Sequence, residues 1–331
     1  MIGRFLAVFE PFILMLLGTV VLASLLPARG EMATIVGYAA DIGIVLLFFL
    51  HGAKLSREAI LSGLRNWKLH LAVLAVTFVA FPLFGLGLSA LPFVNGPLAA
   101  GLLFLTLLPS TVQSSIAFTA IARGNVAAAV CSASFSNLLG ILVTPALVAL
   151  LMETSGSGGI SIDSIEAIVL QLLVPFVAGH LLRPWIGTWV TRQKAMLTVV
   201  DRGSILLVVY SAFGAAVVEG LWTKLSLGDL ILIGLLCAAL LAFVLALTFA
   251  VARLMKLPRE DAIVLQFCGS KKSLASGVPM AGVLFPPAQV GVILLPVMLF
   301  HQLQLIACAV IARRYAESAP DSIDFDQHNR T

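Results

Sequence analysis

The chain reads as an all-α membrane protein of ten transmembrane helices, arranged as two inverted five-helix repeats with two broken, crossing spans. Three observations predict this fold. Of its 331 residues, 60% are hydrophobic and only 11% charged, whereas a soluble domain carries about 25% charged residues. Ten apolar stretches are each long enough to cross a bilayer. Short motifs recur in the same order in the two halves.

A helix needs about 20 apolar residues to cross the hydrocarbon. That length places spans at roughly 5–26, 34–52, 69–90, 97–121, 126–151, 164–182, 201–219, 229–252, 260–284 and 289–311. The first span lacks a following small-residue cleavage site, so it reads as retained and not as a signal peptide. Between the fifth and sixth spans lies the linker-like SGSGG at 155–159, and residues 315–331 form a polar tail. Cys131, Cys237, Cys268 and Cys308 all fall in apolar segments with no zinc or disulfide spacing, which predicts buried packing residues.

Lysine and arginine mark one side of the membrane. Arg4, the group Lys54 to Lys68, Arg123, the group Arg183 to Arg202, the group Arg253 to Arg259, and Arg313, Arg314 and Arg330 alternate consistently with ten spans. Only Arg29 and Lys224 fall opposite. The expectation is a multi-pass inner-membrane protein with both termini cytoplasmic, the bilayer as its partner and no nucleic acid.

Residues 1–154 and 160–314 form the two repeats. Asp41-Ile-Gly43 answers Asp201-Arg-Gly203, LASLLPARG at 22–30 answers AGHLLRPWIG at 178–187, and Pro109-Ser110 answers Gly269-Ser270. Asn125-Val126 answers Gln289-Val290, which sets Asn137 opposite His301. Five spans per repeat is odd, so the second copy enters from the opposite face. Inverted copies offer two similar packings, open to opposite sides.

Both repeats carry an interrupted span: LPSTVQSS in the fourth and CGSKKSLASG in the ninth. Proline, glycine and serine loosen a helix. A charge at mid-bilayer costs at least about 2.5–3.5 kcal/mol, so Lys271 and Lys272 in the second break are a functional signal; the alternative is a break nearer one interface, with both lysines snorkelling to water. Broken backbone is tolerated in a membrane only where it meets protein or a wet cavity. The residues expected around such a cavity are Ser110, Thr111, Gln113, Ser114, Ser115, Gln266, Ser270, Lys271, Lys272 and Ser273, with Asn137 and His301 from neighbouring spans. Gln302 and Gln304 are further polar residues of the last span. Asp41 and Asp201 read as carboxylates at helix starts, and Pro82, Pro145, Pro175 and Pro296 as kinks.

In FFLHGAKLS, in LPSTVQSS followed by IARGNVA, and in LVTPAL, the chain resembles the bile acid:sodium symporter family over nearly all of residues 1–315. It is most similar there to the seventh-type branch, whose ninth span carries the same GSKKSLASG pattern. The resemblance implies a core domain (spans 3–5 and 8–10), a panel domain (spans 1, 2, 6 and 7) and unwound fourth and ninth spans at the substrate cavity. It also implies sodium ligands, and here the sequence departs. The family's Ser-Asn pair falls on Ser114 and Ser115, its ninth-span Glu on Gln266 and a nearby Gln on Ser270. Two hydroxyl ligands fall on Ala129 and Ala133, and the third-span Gln falls on Thr77 in TFVAFP. Losing the carboxylate removes the main negative charge that would hold sodium.

These departures suggest that a lysine ammonium occupies the place of one sodium ion. Adjacent helical residues point about 100° apart, so one lysine could bind carbonyl ends while the other meets an anionic substrate. No cofactor or metal site is expected. Sodium dependence is expected to be weak or absent, with proton coupling as an alternative. The leading expectation is a secondary transporter of a small organic anion. A cation/proton antiporter lacks the mid-span carboxylate it would need, and a non-transporting membrane regulator is the remaining alternative. No nucleophile motif points to an enzyme.

Overall fold

The structure, a computed structural model, describes residues 11–54, 66–94, 96–152, 166 and 169–318. The SGSGG linker, residues 1–10 and the tail beyond 318 lie outside them. The described residues form helices and connections without a strand. The helices of nine residues or more are α1 Pro11–Leu25, α2 Glu31–Lys54, α3 Trp67–Ser89, α4 Gly96–Leu107, α5 Gln113–Ile121, α6 Val126–Leu151, α7 Val169–Arg192, α8 Lys194–Val218, α9 Leu227–Leu254, α10 Arg259–Gly269, α11 Leu274–Leu284 and α12 Pro287–Glu317. Seven of them (α2, α3, α6, α7, α8, α9 and α12) are long and apolar enough to cross a membrane.

Local chemistry sets the ends that matter for the site. The Asn125 side chain accepts from the Ala128 N–H and starts α6. Ser226 and Asp229 form a reciprocal capping box at α9. Ser273 accepts from the Ser276 N–H and starts α11. Pro109 has no N–H to continue α4, and α10 stops at Gly269.

Lipid is as apolar as leucine, so close backbone approach and polar contacts organise such a bundle. Helices α2 and α7 approach backbone to backbone. A Cβ on Gly52 would sit 2.0 Å from the Phe176 carbonyl oxygen, and one on Gly179 would sit 2.0 Å from that of Phe49. Helix α8 also packs on α2, and α1 packs on α8, completing a group of four. In a second group, α12 packs on α4, α9 and α11, while α10 lies against α3, α5, α6 and α9. Edge-on ring pairs fill this second group, Phe81 with Phe300 and Phe104 with Phe285. All four cysteines are free and buried.

One sequence expectation is corrected. Asp41 and Asp201 do not begin helices, because α2 starts at Glu31 and α8 at Lys194. A lone carboxylate at the edge of an apolar run looks like a boundary; here Asp201 instead pairs with Lys54 across the α2–α8 contact. The prolines divide into two kinds. Pro145 and Pro296 sit inside α6 and α12. Pro82 and Pro175 each closely follow a π-turn, at Val76–Ala80 in α3 and Val169–Leu173 in α7.

Candidate functional site

The two breaks touch each other. Residues 108–112 interrupt α4 and α5, residues 270–273 interrupt α10 and α11, and the Ser273 N–H donates to the Pro109 carbonyl at 2.8 Å. Each break orphans helix-end carbonyls that hydrocarbon cannot satisfy. At the end of α4, the Lys272 ammonium donates to the carbonyls of Thr106 (2.7 Å) and Leu108 (2.6 Å), and the Thr144 hydroxyl donates to that of Leu107 (2.8 Å). At the end of α10, three serine hydroxyls do the same work. Ser270 donates to Gln266 O at 2.5 Å, Ser115 to Phe267 O at 3.0 Å and Ser110 to Cys268 O at 2.5 Å. The Ser110 N–H in turn donates to Ser136 at 2.9 Å.

The third bond of Lys272 explains the π-turn in α3. The Phe81 N–H donates to Val76 O instead of to Thr77 O, and the next residue, Pro82, has no N–H to offer. The Thr77 carbonyl is therefore free, and Lys272 Nζ donates to it at 2.8 Å. Three short bonds use all three donors of the ammonium, and the Phe81 ring lies 4.1 Å away. The Lys272 backbone is fixed as well. Its N–H donates to Gln304 Oε1 and its carbonyl accepts from Gln304 Nε2, both at 2.9 Å.

Lys271 points elsewhere. Its ammonium makes one long bond, 3.4 Å to Ser114 Oγ, and lies 4.5 Å from the Phe118 ring and 5.5 Å from that of Phe267. Both lysines are buried within the protein, 0% and 1% exposed. Neither snorkels to the surface.

Beside the crossing lies a cavity of about 700 Å³. Its walls come from α1, α2, α7 and α8 on one side and from α5, α6, α11 and α12 on the other. Thr111, Gln113, Ser114, Asn137, Ser273 and His301 line it. Ser110, Ser115, Gln266, Ser270, Lys271, Lys272 and Thr77 do not, because each is turned into the crossing or the adjoining helices. Gln266 donates its amide to Leu245 O at 3.1 Å, and the Thr77 hydroxyl bonds to Val73 O at 2.8 Å.

Sequence reasoning missed Ser276, His51, Lys54, Asp201 and Arg202 as lining residues. Ser276 donates to Asn137 Oδ1 at 2.9 Å, tying α11 to α6. Lys54 pairs with Asp201, and the Arg202 guanidinium lies 5.3 Å from the Phe12 ring. Spacing gave a signal for them. Phe48, His51 and Lys54 recur on one face of α2, as Thr198, Asp201 and Arg202 do near the start of α8. Phe12, Phe48, Ile141, Phe176, Ile205 and Met280 supply the apolar wall.

Electrostatically, the crossing separates two kinds of helix end. The carbonyl ends of α4 and α10 are closed by an ammonium and by hydroxyls. The N-terminal ends of α5 and α11, residues 112–114 and 273–276, face the cavity, and α5 has no side-chain cap. Helix N-termini carry partial positive charge, so this end of the cavity favours an anion.

A family model for the SBF-like CPA transporter family matches residues 10–317. The chain belongs to that family. SBF-like relatives include the protein PA2026 of Pseudomonas aeruginosa, 55% identical over 315 residues and 95% of each chain. YfeH of Escherichia coli (strain K12), a candidate symporter by name, is 52% identical over 93% of each chain. Sodium/bile acid cotransporter 7 of Rattus norvegicus is 30% identical over 82% of this chain and 81% of its own length. The protein is accordingly a membrane transporter of the bile acid:sodium symporter type.

Proposed function

We propose that this chain is a secondary active transporter carrying a small organic anion by alternating access, with the Lys272 ammonium in place of one sodium ion. In this reading α3–α6 and α9–α12 form a moving core, and α1, α2, α7 and α8 form the panel. The core and panel would arise from two inverted five-span repeats, residues 1–154 and 160–314. The charge asymmetry of the loops supports ten crossings with both termini cytoplasmic, in the inner membrane.

The observation that carries the reading is the junction itself. Two interrupted helices meet, their carbonyl ends are neutralised from within, and their N-terminal ends face one cavity between two helix groups. Sliding one group against the other would carry that anion-favouring surface across the membrane as a unit. The degraded ligand set supports weak sodium dependence. The Gln266 amide is committed to Leu245, and Ala129 and Ala133 offer no side-chain oxygen. A cation with three carbonyl partners already stands at the crossing.

The relative named as a bile acid cotransporter makes bile acids the first substrate class to test. Proteoliposomes given taurocholate and a panel of smaller carboxylates and sulfonates, with sodium and pH gradients imposed separately, decide the matter. Saturable uptake of at least one anion, indifferent to sodium, is expected. Uptake that requires sodium would remove the lysine substitution. Binding of an anion without any uptake would favour a regulatory role.

A further inference from the structure

We propose that Lys271 is the proton-exchanging group of this transporter, while Lys272 keeps its proton throughout the cycle. The inference rests on the transport reading above and names the coupling ion that would replace sodium. Its basis is the unequal coordination of two adjacent, fully buried amines. Lys272 spends every donor on a carbonyl at 2.8 Å or less. Removing its proton would forfeit a charge-assisted bond and leave carbonyl oxygens facing a neutral amine with too few donors. Lys271 has one donor interaction, at 3.4 Å, and two aromatic faces. A neutral amine can still meet Ser114 and pack between the Phe118 and Phe267 rings, so the pocket accepts both forms.

The groups around Lys271 fit exchange better than permanent charge. From α10 the titratable neighbour is Cys268, and from α12 they are Cys308 and His301. Tyr315 of α12 reaches the same pocket through its ring contact with Phe267. The α5 side presents Ser114, Ser115 and Phe118, which do not titrate. Lys272 adds a second positive charge next in sequence. None of these is a carboxylate that would hold an ammonium fixed. A route for the proton exists as well. Ser114 and Phe118, which contact the ammonium, themselves line the cavity, so a single layer of side chains separates the amine from it.

The exchange balances simply. Cavity water delivers a proton to the neutral Lys271 amine, giving the ammonium, and the anion binds at the adjacent N-terminal ends. A singly charged anion and one proton make an electroneutral load. On the far side the proton returns to water and the amine becomes neutral, so the empty core travels back without the added charge.

The test uses the intact protein in lipid nanodiscs with ¹⁵N-labelled lysine, followed by NMR from about pH 5 to pH 10, the range that brackets a perturbed lysine. The Lys271 signal is assigned by its loss in Lys271→Arg, with Lys271→Met as a second assignment should the larger side chain disturb folding. The expected result is a one-proton shift of the Lys271 resonance within this range, with the Lys272 resonance unmoved. A Lys271 resonance that stays at the ammonium position throughout, or a Lys272 resonance that titrates with it, would overturn the proposal. No substrate enters this measurement, so a failure to transport in proteoliposomes is read separately from a failure to titrate.

Discussion

Lys272 and Leu108 join the two interrupted helices: the ammonium on the second break donates at 2.6 Å to a carbonyl of the first. The same ammonium reaches Thr106 and Thr77, so one side chain links α3, the end of α4 and the α10–α11 break. A small cation bound by carbonyls would make the same link. Covalent attachment of this one means it cannot dissociate.

Removing the ammonium leaves three buried carbonyls short of a donor. Lys272→Met is expected to destabilise the protein by at least about 3 kcal/mol, since each of the three carbonyls left unsatisfied costs about 1–3 kcal/mol. Thermal unfolding of the purified variant measures this. A melting temperature equal to that of wild type would mean the three bonds hold nothing together.

Gln304 makes two bonds to the Lys272 backbone, and Gln304→Leu leaves that N–H and carbonyl without them. A loss of about 2–6 kcal/mol is expected, since each of the two unsatisfied buried groups costs about 1–3 kcal/mol. Gln304→Glu keeps the acceptor for the Lys272 N–H and is expected to lose less. Denaturation of the two variants side by side checks the order.

Helices α2 and α7 meet backbone to backbone at Gly52 and Gly179, where each added Cβ would land 2.0 Å from a carbonyl oxygen. Gly52→Leu is expected to force the pair apart and cost at least about 2 kcal/mol by overpacking. Gly18→Leu on α1, where nothing lies within 4 Å of a built Cβ, is expected to be nearly neutral. Comparable yields and melting temperatures for both variants would refute this close crossing.

Lys54, paired with Asp201, and Arg202 both line the cavity wall. Attraction of an anion by these groups predicts that Lys54→Glu with Arg202→Glu slows uptake more at low ionic strength than at about 1 M salt, where the Debye length is about 3 Å. Stability is expected to fall modestly, because Lys54→Glu breaks the Lys54–Asp201 pair and sets a like charge beside Asp201. Initial uptake rates at the two ionic strengths test this prediction. Equal slowing at both would indicate a packing effect.

Much of the crossing was legible in the sequence, because proline, glycine and serine cluster at two corresponding places in apolar runs and loosen a helix there. The adjacent lysines likewise stood out as charges that lipid would not accept. Their division of labour was not legible. It depends on the Thr77 carbonyl, which is released by a π-turn and held open by Pro82, so the chemistry at position 77 belongs to the backbone and not to its hydroxyl. Gln266 and Ser270 share that difficulty, since hydroxyls and amides can serve a cavity or a neighbouring carbonyl equally well. Asp201 was misread because its partner, Lys54, is far away in sequence. Only the α2–α8 contact brings them together.

The most direct test of the sodium-replacing ammonium is thermal unfolding of wild type and Lys272→Ala in sodium chloride and in choline chloride. Wild type is expected to melt at the same temperature in both salts. Lys272→Ala is expected to melt lower in choline and to recover part of the loss in sodium, as the vacated carbonyls bind the ion and stabilise the folded state by mass action. Sodium that stabilises wild type, or an alanine variant that melts like wild type in choline, would contradict the account.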